Sequence, residues 1–156
     1  MPTTIVPANA RLIEKSLTPA SLHYELLHAF VSAQMQQGID YGTIPGTKKP
    51  TLLKPGAEKL CKLFNLRPNF NLIQSVADFE KPLFHYHYQC SLYRSGELVG
   101  QSDGNCNSRE KKYEKQQYKV YDLVNTICKM AQKRSLVAAV LVTCSASEFF
   151  TQDMES

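Results

Sequence analysis

The sharpest pattern of apolar and polar positions lies between Asp122 and Leu141. Apolar side chains recur there every three or four residues, which is the period of a helix lying on a core. The apolar face comprises Leu123, Ile127, Met130, Val137 and Leu141, and the polar face comprises Asp122, Asn125, Lys129, Gln132 and Lys133. The pattern predicts a long amphipathic helix near the C-terminus, with Lys129, Lys133 and Arg134 on or beside its solvent side.

Two further helices are predicted before the middle of the chain. Thr18 suits an N-cap, Pro19 suits the first helical position, and Gly38 suits a helix end. A short helix is predicted to begin at the Lys54–Gly56 segment, after a loop rich in glycine and proline. Residues 1–10 carry two prolines and no periodicity, so a flexible N-terminal arm is predicted there.

After Arg67 the apolar period changes to two, which indicates strands. Three such segments follow, NFNLIQSVADF, LFHYHYQCSLYR and ELVGQSDGNCNS, and turns are predicted at residues 80–82 and 94–97. In the middle segment one face carries Phe84, Tyr86, Tyr88, Cys90 and Leu92, and the other carries His85, His87, Gln89, Ser91 and Tyr93. The pattern predicts an antiparallel three-stranded β-meander whose apolar face packs under the long helix.

Together these elements predict an α+β fold, with N-terminal helices and a long C-terminal helix packed across the meander. A chain of 156 residues is long enough for one hydrophobic core, so a single domain spanning residues 1–156 is predicted. Residues 145–156 are predicted to form a C-terminal tail after the long helix.

Composition narrows the class of protein. The five cysteines are odd in number and include no C-x-x-C pair, so reduced thiols in a cytoplasmic protein are predicted, without a disulfide frame or a zinc site. The chain begins without the charged segment of a signal peptide, and its apolar run near Leu136 is too short to span a membrane. His85 and His87 share a strand face, but no third metal ligand is evident, and no catalytic arrangement or nucleotide loop is recognisable. The sequence therefore predicts neither a metal site, a cofactor nor an enzyme.

Two basic segments are candidate contacts for an anionic partner, in a chain whose formal net charge is +4. Five lysines and one glutamate lie between Lys48 and Lys62, beside a predicted helix N-terminus whose backbone N–H groups can hold an anion. The segment from Arg109 to Lys119 interleaves five cations with tyrosines, a composition typical of proteins that bind single strands. Each segment is also compatible with a solvated surface, as a structural turn in the first case and an exposed connection in the second.

Four stretches resemble one family. YGTIPGT and LLKPGAEKL occur in that order before the strands, and KMAQKRSLVAAVL and ASEFFTQDME stand near the end of the chain. Together they resemble phage and mobile-element members of the RecT, Erf and Rad-fifty-two type single-strand annealing proteins. The resemblance spans roughly residues 36–153 and implies a β-β-β-α core whose long helix crosses the sheet. Many such relatives carry a zinc-ribbon-like insert between a motif similar to SREKKY, residues 108–113 here, and the long helix. This chain lacks that insert.

The family resemblance and the basic segments lead to two hypotheses of different classes. The first is a protein that binds and anneals single-stranded DNA or RNA without a cofactor, as a homo-oligomeric ring or filament. Its phosphate contacts are predicted at Lys48, Lys49, Lys54, Arg109, Lys111, Lys112, Lys115, Lys129, Lys133 and Arg134, and its base-stacking residues are Tyr113 and Tyr118. The second keeps the fold but acts by protein contact, as an accessory or inhibitor of a host nucleoprotein complex. The missing insert and the mild charge favour this alternative.

Phe149 and Phe150 stand in the predicted tail, followed by the acidic Asp153 and Glu155. Exposing two adjacent phenylalanines is costly, about 1.5–3 kcal/mol each. One hypothesis is that they form an oligomer contact by docking on a neighbouring subunit, and the other is that they fold back on their own sheet. Deleting residues 149–156 is predicted to reduce the assembly size in the first case and to unfold the protein in the second.

Overall fold

The computed structural model of the chain describes residues 8–152, with side chains described from Pro19 onward. The elements in chain order are α1 (Ala8–Gln34), β1 (Tyr41–Gly42), β2 (Thr51–Leu52), α2 (Lys54–Leu63), β3 (Arg67–Asp78), β4 (Leu83–Arg94), β5 (Glu97–Asn107), a 3-10 helical segment (Lys111–Leu123), α3 (Val124–Thr143) and a 3-10 turn (Ala146–Glu148). The chain divides into two compact units, one ending at Met35 and one beginning at Gln36. The prediction of one domain for the whole chain stays a prediction.

The first unit contains α1, which differs from the predicted helix at its N-terminal end. The helix begins at Ala8, so the predicted start at Thr18 was wrong, and Pro19 lies inside the helix. Residues 8–17 are rich in alanine, leucine and charged residues of high helix propensity, which extends the helix on the N-terminal side of the proline. Of the arm predicted at residues 1–10, residues 8–10 are helical, and residues 1–7 lie outside the described part.

The second unit confirms the predicted α+β architecture, in which a three-stranded antiparallel sheet in the order β3-β4-β5 packs against α3. Between β4 and β5, Ser95 and Gly96 both have positive φ, 51° and 82°, the conformation that two-residue hairpin turns prefer. Between β3 and β4, the Asp78 carboxylate accepts hydrogen bonds from the backbone N–H groups of Glu80 and Lys81, at 3.0 and 2.9 Å. Both turns fall where the polar breaks in the sequence predicted them.

A β-bulge at Ile73 changes which residues of β3 face the helix. Leu72 pairs with Tyr88 and Gln74 with His87, so Ile73 is one extra residue. Because directly paired residues share a face of the sheet, Phe70 and Leu72 lie on the helix side before the bulge, and Ser75 and Ala77 lie on it afterwards.

The core lies between the sheet and α3. A buried cluster comprises Phe84, Cys106, Tyr113, Val120, Leu123, Ile127 and Ala131, with the half-buried Tyr86, Tyr88, Val124 and Met130 packed against it. The predicted apolar face of β4 is therefore confirmed as the face under α3. A β-carbon added to Gly104 of β5 would stand 2.7 Å from the Arg134 carbonyl carbon, so only glycine permits so close a crossing of helix and strand.

The long helix packs on β5 and β4, whereas the helix side of β3 remains partly open. Phe70 is half-buried and Leu72 is 50% exposed on that side. The uncovered part of the sheet is therefore a shallow floor beside α3.

The tail folds back on its own unit. Thr151 pairs with Thr51 of β2, through hydrogen bonds of 3.1 Å from Leu52 N–H to the Thr151 carbonyl and 2.9 Å from Thr151 N–H to the Pro50 carbonyl. Phe150 is 1% exposed, and its ring centroid lies 5.7 Å from that of Tyr41. A ring buried in its own chain offers no surface to another subunit, so the predicted oligomer contact is corrected for Phe150.

The neighbouring Phe149 is half-buried, and its role as an oligomer contact stays a prediction. Asp153 and Glu155 lie outside the described residues.

Candidate nucleic-acid interface

A groove of about 550 Å³ runs between α2, the start of β3 and the solvent side of α3. We call it the basic groove, and it is lined by Lys54, Glu58, Pro68, Phe70, Asn125, Thr126, Lys129, Met130, Gln132, Lys133 and Leu136. Its two walls are helices and its floor is the open side of the sheet. The groove therefore presents polar and cationic side chains above an apolar floor.

Three of the predicted phosphate contacts, Lys54, Lys129 and Lys133, come together in this groove. Lys129 and Lys133 are one helical turn apart on α3, so both project from the same side of the helix. Lys54 stands in the first turn of α2, and its ammonium lies 3.9 Å from the Glu58 carboxylate. Both partners of that pair are about 60% exposed, so the ion pair contributes little to stability and leaves the lysine available to a ligand. The groove thus carries three cations against one carboxylate.

The floor of the groove continues along the sheet as a row of rings, which we call the aromatic strip: Phe70, Tyr88, Tyr86 and Phe84. All four lie on the helix side by strand register, and Tyr86 and Tyr88 are half-buried. The Tyr88 hydroxyl lies 3.4 Å from the Cys128 thiol of α3. That hydrogen bond raises the pKa of Tyr88, and burial raises the pKa of Tyr86, so both rings stay neutral at physiological pH.

Sequence reasoning assigned Tyr86 and Tyr88 to the core and missed them as candidate stacking residues. The two tyrosines alternate with histidines on β4, which correctly predicted their face. Their partial exposure depends on how far α3 extends across the sheet, and the sequence of β4 contains no sign of that.

Arg134, also predicted to contact phosphate, faces the other side of α3. Its Nη1 donates to the Asn105 carbonyl at 2.8 Å and lies 2.9 Å from the Glu110 carboxylate. Although burial acts to raise the pKa of Glu110, hydrogen bonds from Cys106, the Asn107 backbone and Arg134 lower it. Arg134 therefore joins α3 to β5 and to the turn that follows β5.

A second cavity, of about 320 Å³, lies on this opposite side of α3. It is lined by Thr51, Leu52, Asp103, Gly104, Asn105, Glu110, Lys133, Arg134, Val137 and Gln152. Its two cations are Arg134 and Lys133, and Lys133 also lines the basic groove. They are balanced by two carboxylates, of which Asp103 also pairs with His87 at 2.9 Å. Because its charge is balanced, this cavity is a weaker candidate for a polyanion than the basic groove.

Two other predicted phosphate contacts, Lys48 and Lys49, lie in the loop between β1 and β2. The Lys49 ammonium donates to the Ser147 carbonyl at 2.6 Å and so holds the tail, whereas Lys48 is exposed. Neither lysine lines the basic groove.

The segment from Arg109 to Lys119 was predicted to combine phosphate contacts with stacking tyrosines. Tyr113 is 3% exposed, and its hydroxyl lies 3.8 Å from the Cys106 thiol in the core. Burial raises the pKa of Tyr113 above its ordinary value. A buried ring presents no face to a base, so the prediction for Tyr113 is corrected.

The remaining residues of this segment differ in their surroundings. Tyr118 is 84% exposed, and Lys111 and Lys115 are also exposed. Lys112 is half-buried with its ammonium 5.5 Å from the centre of the Tyr113 ring, and Arg109 Nη2 donates to the Lys81 carbonyl at 3.0 Å. None of these side chains lines the basic groove, so their contact with phosphate stays a prediction.

Among the side chains described, from Pro19 to Gln152, no three histidine, cysteine, aspartate or glutamate residues come together as a metal site would require. Among the helices described, none has the length and apolarity that crossing a bilayer requires.

No protein-family model, no curated protein and no solved structure matches this chain. The resemblance to single-strand annealing proteins therefore stays a prediction that rests on the four stretches quoted above. Function is inferred from the shape and chemistry of the basic groove.

Proposed function

We propose that the protein binds single-stranded nucleic acid in the basic groove. Lys54, Lys129 and Lys133 would hold the phosphates, and Phe70 with the exposed edges of Tyr88 and Tyr86 would contact the bases. The observation that supports this proposal is the convergence of three lysines from two helices beside the half-buried ring of Phe70, from which the helix side of the sheet continues to Tyr88 and Tyr86.

The chemistry of the groove favours a single strand over a duplex. A single strand offers both a charged backbone and unstacked base faces, and cationic grooves with aromatic floors use both at once. The bases of a duplex are stacked on each other, so the rings of the floor would have no partner. We therefore expect tighter binding of single strands than of duplexes with the same number of phosphates.

Annealing is the further activity that the family resemblance adds to this proposal. Bases held by their faces keep their pairing edges free, because phosphate contacts position a strand without using those edges. The groove is open on one side, which would admit a second strand. Homo-oligomerisation into a ring or filament would extend such a site from subunit to subunit.

A single charge reversal tests the proposal. Lys129→Glu should weaken binding of a fluorescein-labelled oligodeoxynucleotide at least tenfold in fluorescence anisotropy at low salt. Lys62→Glu is the matched control, because Lys62 is also an exposed lysine of the second unit and lies outside the basic groove. Equal losses in the two variants would indicate non-specific attraction to net charge. Wild-type affinity in Lys129→Glu would exclude the groove.

A second candidate function is protein contact, as an accessory or inhibitor of a host nucleoprotein complex. The observation that favours it is the exposure of Leu72 and Ile73, at 50% and 52%, on the edge strand β3. Adjacent exposed apolar side chains form a surface on which another protein can dock. Ile73→Lys should abolish such a contact and leave strand binding in the basic groove intact, and the same anisotropy assay measures the latter.

A further inference from the structure

Two exposed rings stack on each other at the tip of the β3–β4 hairpin, one from the hairpin turn and one from the 3-10 helical segment. Phe79 and Tyr121 are 64% and 52% exposed, their planes lie 6° apart and their centroids 6.2 Å apart. Each meets the buried Phe84 edge to face, with centroids at 5.1 and 6.0 Å. The Tyr121 hydroxyl also donates to the Phe79 carbonyl at 2.7 Å. We call Phe79 and Tyr121 the ring pair.

The ring pair is more exposed than packing alone requires. Phe84 already fills the core beneath it, whereas the ring pair leaves more than half of its surface in water. Large apolar surface in water is unfavourable, and rigid exposed rings are the kind of surface that recognition sites use.

The position of the ring pair relates it to the basic groove. Phe70 lines the groove and Phe79 is nine residues further along the same hairpin arm, a span of about 30 Å for an extended strand. Between them the aromatic strip continues through Tyr88, Tyr86 and Phe84, and Phe84 contacts the ring pair directly. The ring pair therefore stands at the far end of the same row of rings.

Charge at the hairpin tip is nearly balanced. Lys81 and Arg109 are exposed there, and so are Glu80 and Asp122, while the Asp78 carboxylate is turned toward backbone N–H groups. A ligand at the tip would thus be held by its faces rather than by its charge. A nucleobase has this property, since every base has a π-face and stacks on aromatic rings irrespective of sequence.

We propose that the ring pair is a second stacking platform, which takes a base of the strand that is held in the basic groove. This inference rests on the proposed function and adds the path of the strand, along β3 from α2 to the hairpin tip. It separates binding into a charged end, which is sensitive to salt, and a stacking end, which is not.

A tryptophan reporter tests the platform directly, because the chain contains no tryptophan. In Tyr121→Trp, emission from the single indole should be quenched when a labelled single strand of about 16 nucleotides binds, since a strand of that length exceeds the path. Anisotropy of the labelled strand is followed in the same titration. Binding without quenching overturns the platform and leaves the groove standing, whereas absence of binding by the wild-type protein overturns the proposed function itself.

Removal of one ring gives an independent measurement. Tyr121→Ala should weaken binding of the same strand about tenfold, as loss of one stacked base does, with an unchanged dependence on salt. Tyr121→Phe keeps the ring and should bind like the wild type. Leu98→Ala is the matched control, because Leu98 is 51% exposed and its strand register places it on the opposite face of the sheet. Wild-type affinity in Tyr121→Ala, or an equal loss in Leu98→Ala, would overturn the proposal.

Discussion

Gly104 of β5 and Ala131 of α3 lie so close that a β-carbon added to the glycine would stand 2.8 Å from the Ala131 carbonyl oxygen. The atoms that the added β-carbon would meet belong to the helix backbone, so no flexible side chain can move to make room. We expect Gly104→Ala to destabilise the protein by about 1–3 kcal/mol or more, as overpacking does. Gly42→Ala is the control, because its β-carbon would meet Leu53 at an ordinary 3.7 Å. Urea unfolding of the two variants decides, and equal midpoints would contradict the close crossing.

Asp40 is completely buried, and its carboxylate fixes the turn that leads into β1. One carboxylate oxygen accepts from Gln36 N–H at 2.8 Å and lies 2.6 Å from the Lys59 ammonium. Lys59→Ala would leave the buried Asp40 carboxylate without its cation, so we expect a loss of about 3–5 kcal/mol in the free energy of unfolding. Asp40→Ala should cost less, because the Lys59 side chain that it leaves behind is 39% exposed and can be solvated. A small effect of Lys59→Ala in thermal unfolding would contradict this.

The two tail phenylalanines should behave differently on truncation to alanine. Phe150→Ala opens a cavity in the core and should cost about 3–5 kcal/mol, whereas the half-buried Phe149 should cost less when truncated. Circular dichroism during urea unfolding measures both variants, and light scattering reports their molar mass. A fall in mass only for Phe149→Ala would support the oligomer contact predicted there. Equal, small stability losses would contradict the burial of Phe150.

Stability should fall with increasing pH in the alkaline range. Burial raises the pKa of the Cys61 thiol from 9.0 to about 11, and those of Cys90, Cys106 and Cys144 from 9.0 to about 12. Above pH 9 the unfolded chain loses these protons while the folded chain keeps them, so the unfolded state binds fewer protons and the free energy of unfolding decreases. Below pH 9 these thiols are protonated in both states and contribute no pH dependence. Urea midpoints at pH 7, 8, 9 and 10 test this, and a constant midpoint would contradict it.

The salt dependence of the binding affinity reports how many phosphates the basic groove holds. Three lysine contacts with a single strand predict a slope of about −2 for the logarithm of affinity against the logarithm of salt concentration. Lys129→Ala should reduce the magnitude of that slope by about 0.7, and Lys62→Ala should leave it unchanged. Anisotropy titrations at several sodium chloride concentrations give these slopes. A wild-type slope near zero would exclude an electrostatic groove.

The fold was largely predictable because its signals are local. Period-two alternation and the Ser95–Gly96 turn predicted the meander, and the apolar stripe predicted α3. The N-terminal boundary of α1 was missed because Pro19 has the sequence context of a helix start. The burial of Phe150 was left open because its partners, Tyr41 and the strand pairing at Thr51, lie about 100 residues away along the chain.

The candidate site was predictable only in part. The sequence identified Lys54, Lys129 and Lys133, since a lysine beside a helix start or along a polar helix face can be recognised from the sequence alone. It could not separate the buried Tyr113 from the exposed Tyr118, because both lie in one basic segment and only contact with the core distinguishes them. The ring pair joins residues 42 positions apart, and no local pattern predicts their contact.

The bulge at Ile73 decides which side chains of β3 stand beside the row of rings. If Ile73 were paired as an ordinary strand residue, every later position of β3 would shift by one, and Gln74, Val76 and Asp78 would replace Ser75 and Ala77 on the helix side. Bulkier side chains would then stand beside Tyr86 and Phe84, and the Asp78 carboxylate would turn toward the ring pair and repel phosphate. The single unpaired residue therefore keeps small, uncharged side chains beside these two rings.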